Sequence, residues 1–399
     1  MKVFIVTCDP FPNGMASTNR IRCYAKALLN AGVKCEVLVF HRTEVYGHNP
    51  KNTKGMGICE GIPFRYIGGT PLRASNVFLR KFYDWRDKVN LLKFLKNNMM
   101  KGDAILTYYR QNSMDHKLLG FANKNGFRIF RDLCEYPYAT SCIDDNTESR
   151  CKHYMESVFP KYDGAICISQ LLFDLARKYH PNGKHIKVPI MIDKDKWSFE
   201  NVAAKKSETP YIFHSGALFQ QKDGVIDVLN SFADALPNLP VGTKYYFTGK
   251  VENSIDSCLI QKVINERHLQ NNVIFLGYLD KNEMMQYIKG SSLFIVYKND
   301  NLQNRYCFAT KLGEYLLSGN PVITTNIGES MSYLTDRKNA YIIEYGNRKL
   351  LAETIVHIMN HKSESISIGS LGRDVALNNF CYESQSKKLA EYFKTDFSI

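Results

Sequence analysis

The sequence predicts an α/β protein built from two parallel-sheet domains. Three observations carry that prediction. A chain of 399 residues is too long for one ordinary core and suits two domains of fewer than 200 residues each. A first series of short apolar runs fills the N-terminal half. A second series restarts after Pro210.

In the first series, Val3 to Thr7, Lys34 to Phe40, Ala104 to Tyr108, Phe127 to Arg131 and Ala165 to Ser169 each end in polar or turn residues. Strands buried on both faces read this way. Helical patterns lie between them: Ile21, Tyr24, Ala25, Leu28 and Leu29 recur at helical spacing and stop at Gly32. The second series is Tyr211 to His214, Lys244 to Thr248, Val273 to Leu276, Leu293 to Tyr297, Val322 to Thr325 and Tyr341 to Ile343. Between the two series, Asp193 to Pro210 is charged and poor in aliphatics. The expected organisation is a first domain over 1–192, a linker over 193–210, a second domain over 211–375, and a C-terminal helix over 376–399 that crosses back to the first domain. Parallel sheets place ligand sites beyond the C-terminal ends of their strands, here in a central cleft that the two sheets face.

Composition narrows the function classes. Apolar residues are 44% and charged residues 23%, so both halves have enough apolar material for a core and a disordered chain is excluded. No apolar run reaches spanning length, and the N-terminus reads as a first strand rather than a signal peptide. The eleven cysteines contain no C-x2-C pair, which argues against a zinc site and for reduced thiols, so a cytoplasmic location is expected. The net charge of +13 is concentrated: residues 72–101 hold eight Lys or Arg and two Asp. There Val77, Phe78, Phe82, Trp85, Val89, Leu92 and Met99 form an apolar helical stripe flanked by Arg80, Lys81, Arg86, Lys88, Lys93 and Lys96. Packing on the N-terminal sheet is the first expectation; docking at an anionic membrane surface, on the inner face, is the second. No nucleic-acid motif accompanies the charge, so no nucleic-acid partner is expected.

Four segments follow strands and carry polar chemistry. Phe308 to Ile323 runs from a loop into a helix beginning near Thr310 and stopping at Gly319. Unpaired amides at such a helix start, over Ala309, Thr310, Lys311 and Leu312, suit a diphosphate, with Lys311 adding charge. Glu314, one turn on, would aim a carboxylate at ribose hydroxyls; a solvated helix residue is the alternative. In His214 to Val225, Gly216 permits close backbone approach, and Lys222 is placed to neutralise a leaving diphosphate, or is merely a solvated turn lysine. Pro12 to Arg20 lacks G-x-G-x-x-G, which removes the best support for a dehydrogenase. Its Gly14 and small residues such as Ala16 would still let the loop approach a ligand, with Ser17, Thr18 or Asn19 as helix cap. In Asp132 to Pro137 a carboxylate, with Glu135 the candidate, could act as a base or contact an acceptor hydroxyl. Asp193-Lys194-Asp195 mimics a metal-binding pair but falls in the linker, and no metal is expected.

On these residues the chain resembles the retaining glycosyltransferases of family 4, which have the GT-B fold of two Rossmann-like domains. The resemblance runs from the glycine loop after the first strand to Phe380-Cys381-Tyr382. It implies that Phe308 to Ile323 holds the nucleotide diphosphate and ribose, that Glu314 is the second glutamate of the family's Glu-x7-Glu motif, and that Lys222 contacts the donor phosphates. Gly14 matches the N-terminal loop glycine beside the diphosphate, and Gly249 and the Gly277-Tyr278 turn match the lining of the nucleotide pocket. Three positions depart from the pattern: Tyr306 replaces the first glutamate, Ala217 the phosphate-binding arginine, and Cys134 a cleft histidine. Arg305, beside the missing glutamate, would restore positive charge.

The resemblance further implies front-face transfer with retention, without metal or other cofactor, from a UDP- or GDP-sugar to a glycan or lipid-linked acceptor in surface polysaccharide or glycoconjugate synthesis. A weakly active GT-B protein that only binds nucleotide sugar or glycan, and a GT-B-fold sugar-nucleotide epimerase, are the alternatives.

Overall fold

The computed structural model describes residues 1–111, 113–139, 144, 146–216, 218–249 and 255–394. The chain divides into two compact units: Met1–Ile192 with the C-terminal residues from Tyr382, and Asp193–Cys381.

The first unit contains strands β1 (Lys2–Thr7), β2 (Lys34–Val39), β3 (Met56–Cys59), β4 (Ile62–Tyr66), β5 (Ala104–Tyr108), β6 (Arg128–Leu133), β7 (Gly164–Cys167) and β8 (Lys184–Lys187). They form one sheet in the order β3-β4-β2-β1-β5-β6-β7-β8, parallel except where β3 pairs antiparallel with β4. Val3, Phe4, Ile5 and Val6 of β1 are fully buried, since β1 lies centrally and both faces are covered. Helix Tyr382–Lys394 belongs to this unit. The rings of Tyr392 and Phe393 sit 5.0 and 5.3 Å from Phe130 on β6, and Tyr392 exchanges two hydrogen bonds with Lys184.

The second unit holds β9 (Tyr211–His214), β10 (Lys244–Phe247), β11 (Val273–Phe275), β12 (Phe294–Val296), β13 (Val322–Thr325) and β14 (Tyr341–Ile343). Two parallel three-stranded sheets, β11-β10-β9 and β12-β13-β14, join through a bridge between Ile212 and Leu293. The segment from Asp193 to Pro210, read from sequence as a linker, lies with this unit. Lys205 N–H donates to the Gln286 carbonyl, and Lys289 Nζ to that of Phe199.

Helix Val77–Asn98 departs from the first sequence expectation. Asn76 caps it by accepting from the amides of Phe78 and Leu79, and the side chains it buries are Asp87, Leu91 and Leu95. The stripe singled out in the sequence faces outward over its N-terminal half: Phe78 is 82% exposed, Trp85 58% and Phe82 51%. Two apolar faces share one helix, and burial selected the shorter one. Among the described residues no helix is long and apolar enough to cross a membrane.

Candidate functional site

In the second unit, three segments meet at the C-terminal end of β9. The helix Thr310–Leu317 is anchored there by Tyr315, whose hydroxyl accepts from Ser215 N–H at 2.7 Å and also bonds Ser215 Oγ at 2.9 Å. The Tyr315 ring stacks on Phe294 of β12 at 4.2 Å. The helix start is thereby fixed beside the loop after β9. Its N-cap, Ala309, offers no side-chain cap, and Leu312 N–H, expected from sequence to face a ligand, bonds back to the Ala309 carbonyl at 3.0 Å, so the amides of Thr310 and Lys311 are the ones left for solvent or ligand.

Lys311 sits in this first turn. Its ammonium lies 3.4 Å from His214 Nε2 and 3.7 Å from Asp223 Oδ1, and that carboxylate also binds Lys298 Nζ at 2.5 Å. Burial disfavours the charge on Lys311 and outweighs the attraction of Asp223, while Lys298 and Lys222 add repulsion, so its pKa falls from 10.5 to about 8. Burial likewise opposes ionisation of Asp223, but the Lys311 and Lys298 ammoniums prevail and hold it well below the usual carboxylate range. The cluster carries two lysines and a third nearby against one carboxylate, a surplus of positive charge suited to an anion. The Lys311 side chain keeps 18% of its surface open, so a ligand can reach it.

One turn along, burial pushes the Glu314 carboxyl from 4.5 up to about 7, against the pull of the Lys196 and Lys311 ammoniums. Gly216 lies over this site with φ of 105°. A Cβ there would be strained and would stand 3.6 Å from Lys311 Nζ, while its N–H donates to Thr248 Oγ1 at 3.0 Å. Lys222 is half-buried in the short helix Gln220–Asp223, and its carbonyl accepts from Asn304 Nδ2 at 2.8 Å.

Other sequence candidates are placed less closely. Gly249 and Gly277 pair across the ends of β10 and β11, and Tyr278 beside them is 79% exposed. Arg305 is exposed and bonded to Asp300 at 2.8 Å, so the structure joins it to that carboxylate and to none of the Lys311 cluster. Tyr306 ends the helix Leu302–Tyr306. Ala217 lies outside the described residues. Asp193 Oδ1 accepts from the amides of Asp195 and Lys196, which gives the Asp-x-Asp resemblance a turn-forming role. Among the described residues no group of three potential metal ligands occurs.

The first unit carries a separate polar group at its own C-terminal strand ends. Asp9, after β1, bonds to Ser17 and lies near Arg110 and Glu135; burial raises its pKa above the ordinary 3.8. Asp132 is buried and spent on structure, binding Arg20 Nε and Nη2 at 3.3 and 3.2 Å and accepting from the Tyr24 hydroxyl at 2.6 Å. Of the two acidic residues in that segment, Glu135 alone is half-exposed. The glycine loop behaves differently from expectation. Ser17, Thr18 and Asn19 lie inside helix Ala16–Asn30, whose N-cap is Met15, and Thr18 Oγ1 donates to the Pro10 carbonyl at 2.7 Å. A Cβ on Gly14 would collide with Thr18 Oγ1 at 1.9 Å, so the glycine is required by packing of its own loop. Both Gly14 and Ala16 are exposed.

Sequence reasoning missed His214, Asp223, Lys298 and Asp9 as site residues. Lys298 and Asp9 each stand two residues beyond a strand end, a signal that could have found them. Asp223 had none, since its partners are distant in the chain.

Residues 195–374 match the model of the family described as glycosyl transferases group 1. No protein of curated function matches the chain in sequence. Several solved structures share the fold over nearly their whole length. A sucrose-phosphate synthase from Thermosynechococcus elongatus is 13% identical, with a TM-score of 0.74 over 99% of this chain and 98% of that one. A glycosyltransferase from Rickettsia africae is 15% identical, with a TM-score of 0.71 over 98% and 97%. HepE of Anabaena, in complex with UDP-glucose, is 12% identical, with a TM-score of 0.67 over 98% of each chain. The chain has the GT-B fold, and the family match within its second unit supports a glycosyltransferase of that type.

Proposed function

We propose that the protein is a metal-independent, retaining glycosyltransferase of family 4 that binds a UDP- or GDP-sugar in the unit Asp193–Cys381. The observation that carries this reading is the excess of lysine over carboxylate at the start of helix Thr310–Leu317, with Glu314 one turn further in. The Lys311 ammonium, Lys222 and the first-turn amides take the diphosphate, and Glu314 accepts from the ribose hydroxyls. That HepE holds UDP-glucose on the same fold agrees with a nucleotide-sugar donor.

In the reaction, the bond between the anomeric carbon and the diphosphate oxygen breaks while the acceptor oxygen bonds that carbon on the same face. The acceptor proton passes to the departing diphosphate oxygen. Charge grows on that diphosphate in the transition state, where preorganised cations contribute about 3 kcal/mol each. The lysines supply the positive charge, so no metal is assigned to the step. The acceptor is a glycan or lipid-linked glycan, met by Glu135 and Asp9 of the first unit, in surface polysaccharide or glycoconjugate synthesis.

Tyr306 in place of a glutamate favours a second reading, a protein that binds donor without turnover. Thermal shift across UDP-, GDP- and ADP-sugars, followed by donor-hydrolysis and transfer assays with the best ligand, separates the two. Binding with no hydrolysis or transfer selects the second reading, and no binding at all removes both.

A further inference from the structure

We propose that the helix Val77–Asn98 docks the protein onto an anionic lipid bilayer. The inference is independent of the donor site. At 3.6 residues per turn, Phe78, Phe82, Trp85 and Val89 form one stripe, roughly 150° around the helix axis from the buried Asp87, Leu91 and Leu95. The stripe is therefore the face that the unit does not cover. Phe78, Trp85 and Phe82 are each more than half exposed, and the Phe82 and Trp85 rings lie 6.1 Å apart. Exposing that much aromatic surface in a row opposes the hydrophobic effect unless something covers it.

Charge selects what covers it. Lys81 and Lys88 border the stripe on one side, Arg86 and Lys93 on the other. The two acidic residues of the helix are turned away from this face. Asp84 pairs with His41 at 3.1 Å and Asp87 with Arg42 at 3.2 Å. Arg86 is also paired with Asp87, at 3.0 Å, so the net positive charge beside the aromatic rings is carried by Lys81 and Lys88 on one side and Lys93 on the other. A bilayer surface with anionic headgroups matches both features: rings enter the interfacial zone and basic side chains reach the phosphates. The Asn76 cap and the buried Leu91 and Leu95 hold the helix formed before it meets lipid.

The test uses the full chain and sedimentation with vesicles of phosphatidylcholine alone or mixed equally with phosphatidylglycerol. The protein is expected to sediment with the mixed vesicles at low salt, to stay in the supernatant with phosphatidylcholine, and to be released as salt rises. In a Trp197→Phe background, Trp85 emission should shift to the blue on binding. The triple substitution Lys81→Gln, Lys88→Gln, Lys93→Gln should weaken apparent vesicle affinity about a hundredfold. Phe78→Ser with Trp85→Ser should abolish the binding. All five side chains lie outside the core, and an unchanged thermal midpoint verifies the fold. The proposal is overturned if the wild type stays in the supernatant at low salt, or if it binds equally well with both sets of substitutions. Concentration-dependent self-association through the same residues without vesicle binding also overturns it, assigning the face to a second copy of the chain.

Discussion

Lys311 lies 3.7 Å from Asp223 Oδ1, an oxygen already bonded to Lys298 at 2.5 Å, so one carboxylate serves two lysines, one buried and one half-buried. The second lysine is thereby only partly neutralised, and burial leaves its pKa near 8. A diphosphate bound as proposed would supply the missing negative charge and raise that pKa again. In the proposed donor site, binding would accordingly be coupled to protonation of Lys311.

This coupling sets the pH dependence of the unliganded protein. Lys311 loses its proton as pH rises through about 8, well before an ordinary lysine at 10.5, and Glu314 is protonated below about 7. Donor affinity and kcat/KM should rise through pH 7 and decline above pH 8, by about tenfold per unit on the alkaline limb. Titration calorimetry with the tightest-binding nucleotide sugar, from pH 6 to about 9.5, measures it. In Lys311→Gln the alkaline limb should vanish. A limb that persists in that variant assigns the titration to another group.

Asp223→Asn should cost stability as well as affinity. It leaves the buried Lys298 without its carboxylate and deprives the half-buried Lys311 of the same partner, and removing one partner of a buried pair costs about 3–5 kcal/mol. The wild-type carboxyl is held below its ordinary 3.8, so its contribution is full at neutral pH and is lost only in acid, as pH falls through the lowered value. Urea unfolding at pH 7 gives the loss. The double substitution Asp223→Asn, Lys298→Met should recover part of it, and no recovery would mean that Asp223 acts through the backbone.

Much of this arrangement was legible in the chain. All six apolar runs of the second series became strands, and the helix expected near Thr310 begins there and ends before Gly319, whose φ of 80° suits glycine. The β3–β4 hairpin and β8 escaped because their strands are only partly buried and lack a continuous apolar run. The Asp223, Lys298 and His214 cluster escaped for another reason. Its members come from the end of β9, the loop after β12 and the short helix Gln220–Asp223, which only the folded unit brings together. The helix Val77–Asn98 shows the limit of periodicity, which finds an apolar stripe and cannot say which of two faces meets the core.

Lys222→Ala and Glu314→Ala should each lower transfer at least about tenfold without unfolding the protein. Lys222 is half-buried in a short helix whose carbonyl contact to Asn304 survives the change, and Glu314 is held against its own ionisation preference. Initial rates and thermal midpoints are the measurements. Near-wild-type rates in both variants would remove the donor site proposed above.

Cys134→Ala should leave turnover nearly unchanged. Burial, together with the neighbouring Asp132 and Glu135 carboxylates, drives this thiol's pKa far above its ordinary 9.0, so it stays neutral and makes a poor nucleophile. Its Sγ rests 3.8 Å from the Tyr108 hydroxyl, a weak contact. A large loss of rate at normal stability would contradict transfer without a protein nucleophile.

The last prediction separates two carboxylates three residues apart. Asp132 holds Arg20 and Tyr24 inside the first unit, and Arg20 also donates to the Pro189 carbonyl at 2.8 Å. Asp132→Ala strands a buried guanidinium, so it should lower stability by about 3–5 kcal/mol and impair activity only through unfolding. Glu135 is half-exposed near Asp9, at strand ends where the proposed acceptor hydroxyl would arrive. Glu135→Gln should therefore leave the thermal midpoint within about a degree while raising the acceptor KM severalfold, with donor Kd unchanged. Acceptor kinetics at saturating donor, read beside a thermal melt, distinguish the two. If Glu135→Gln melts early or weakens donor binding instead, the first-unit carboxylates are structural and the acceptor is held elsewhere.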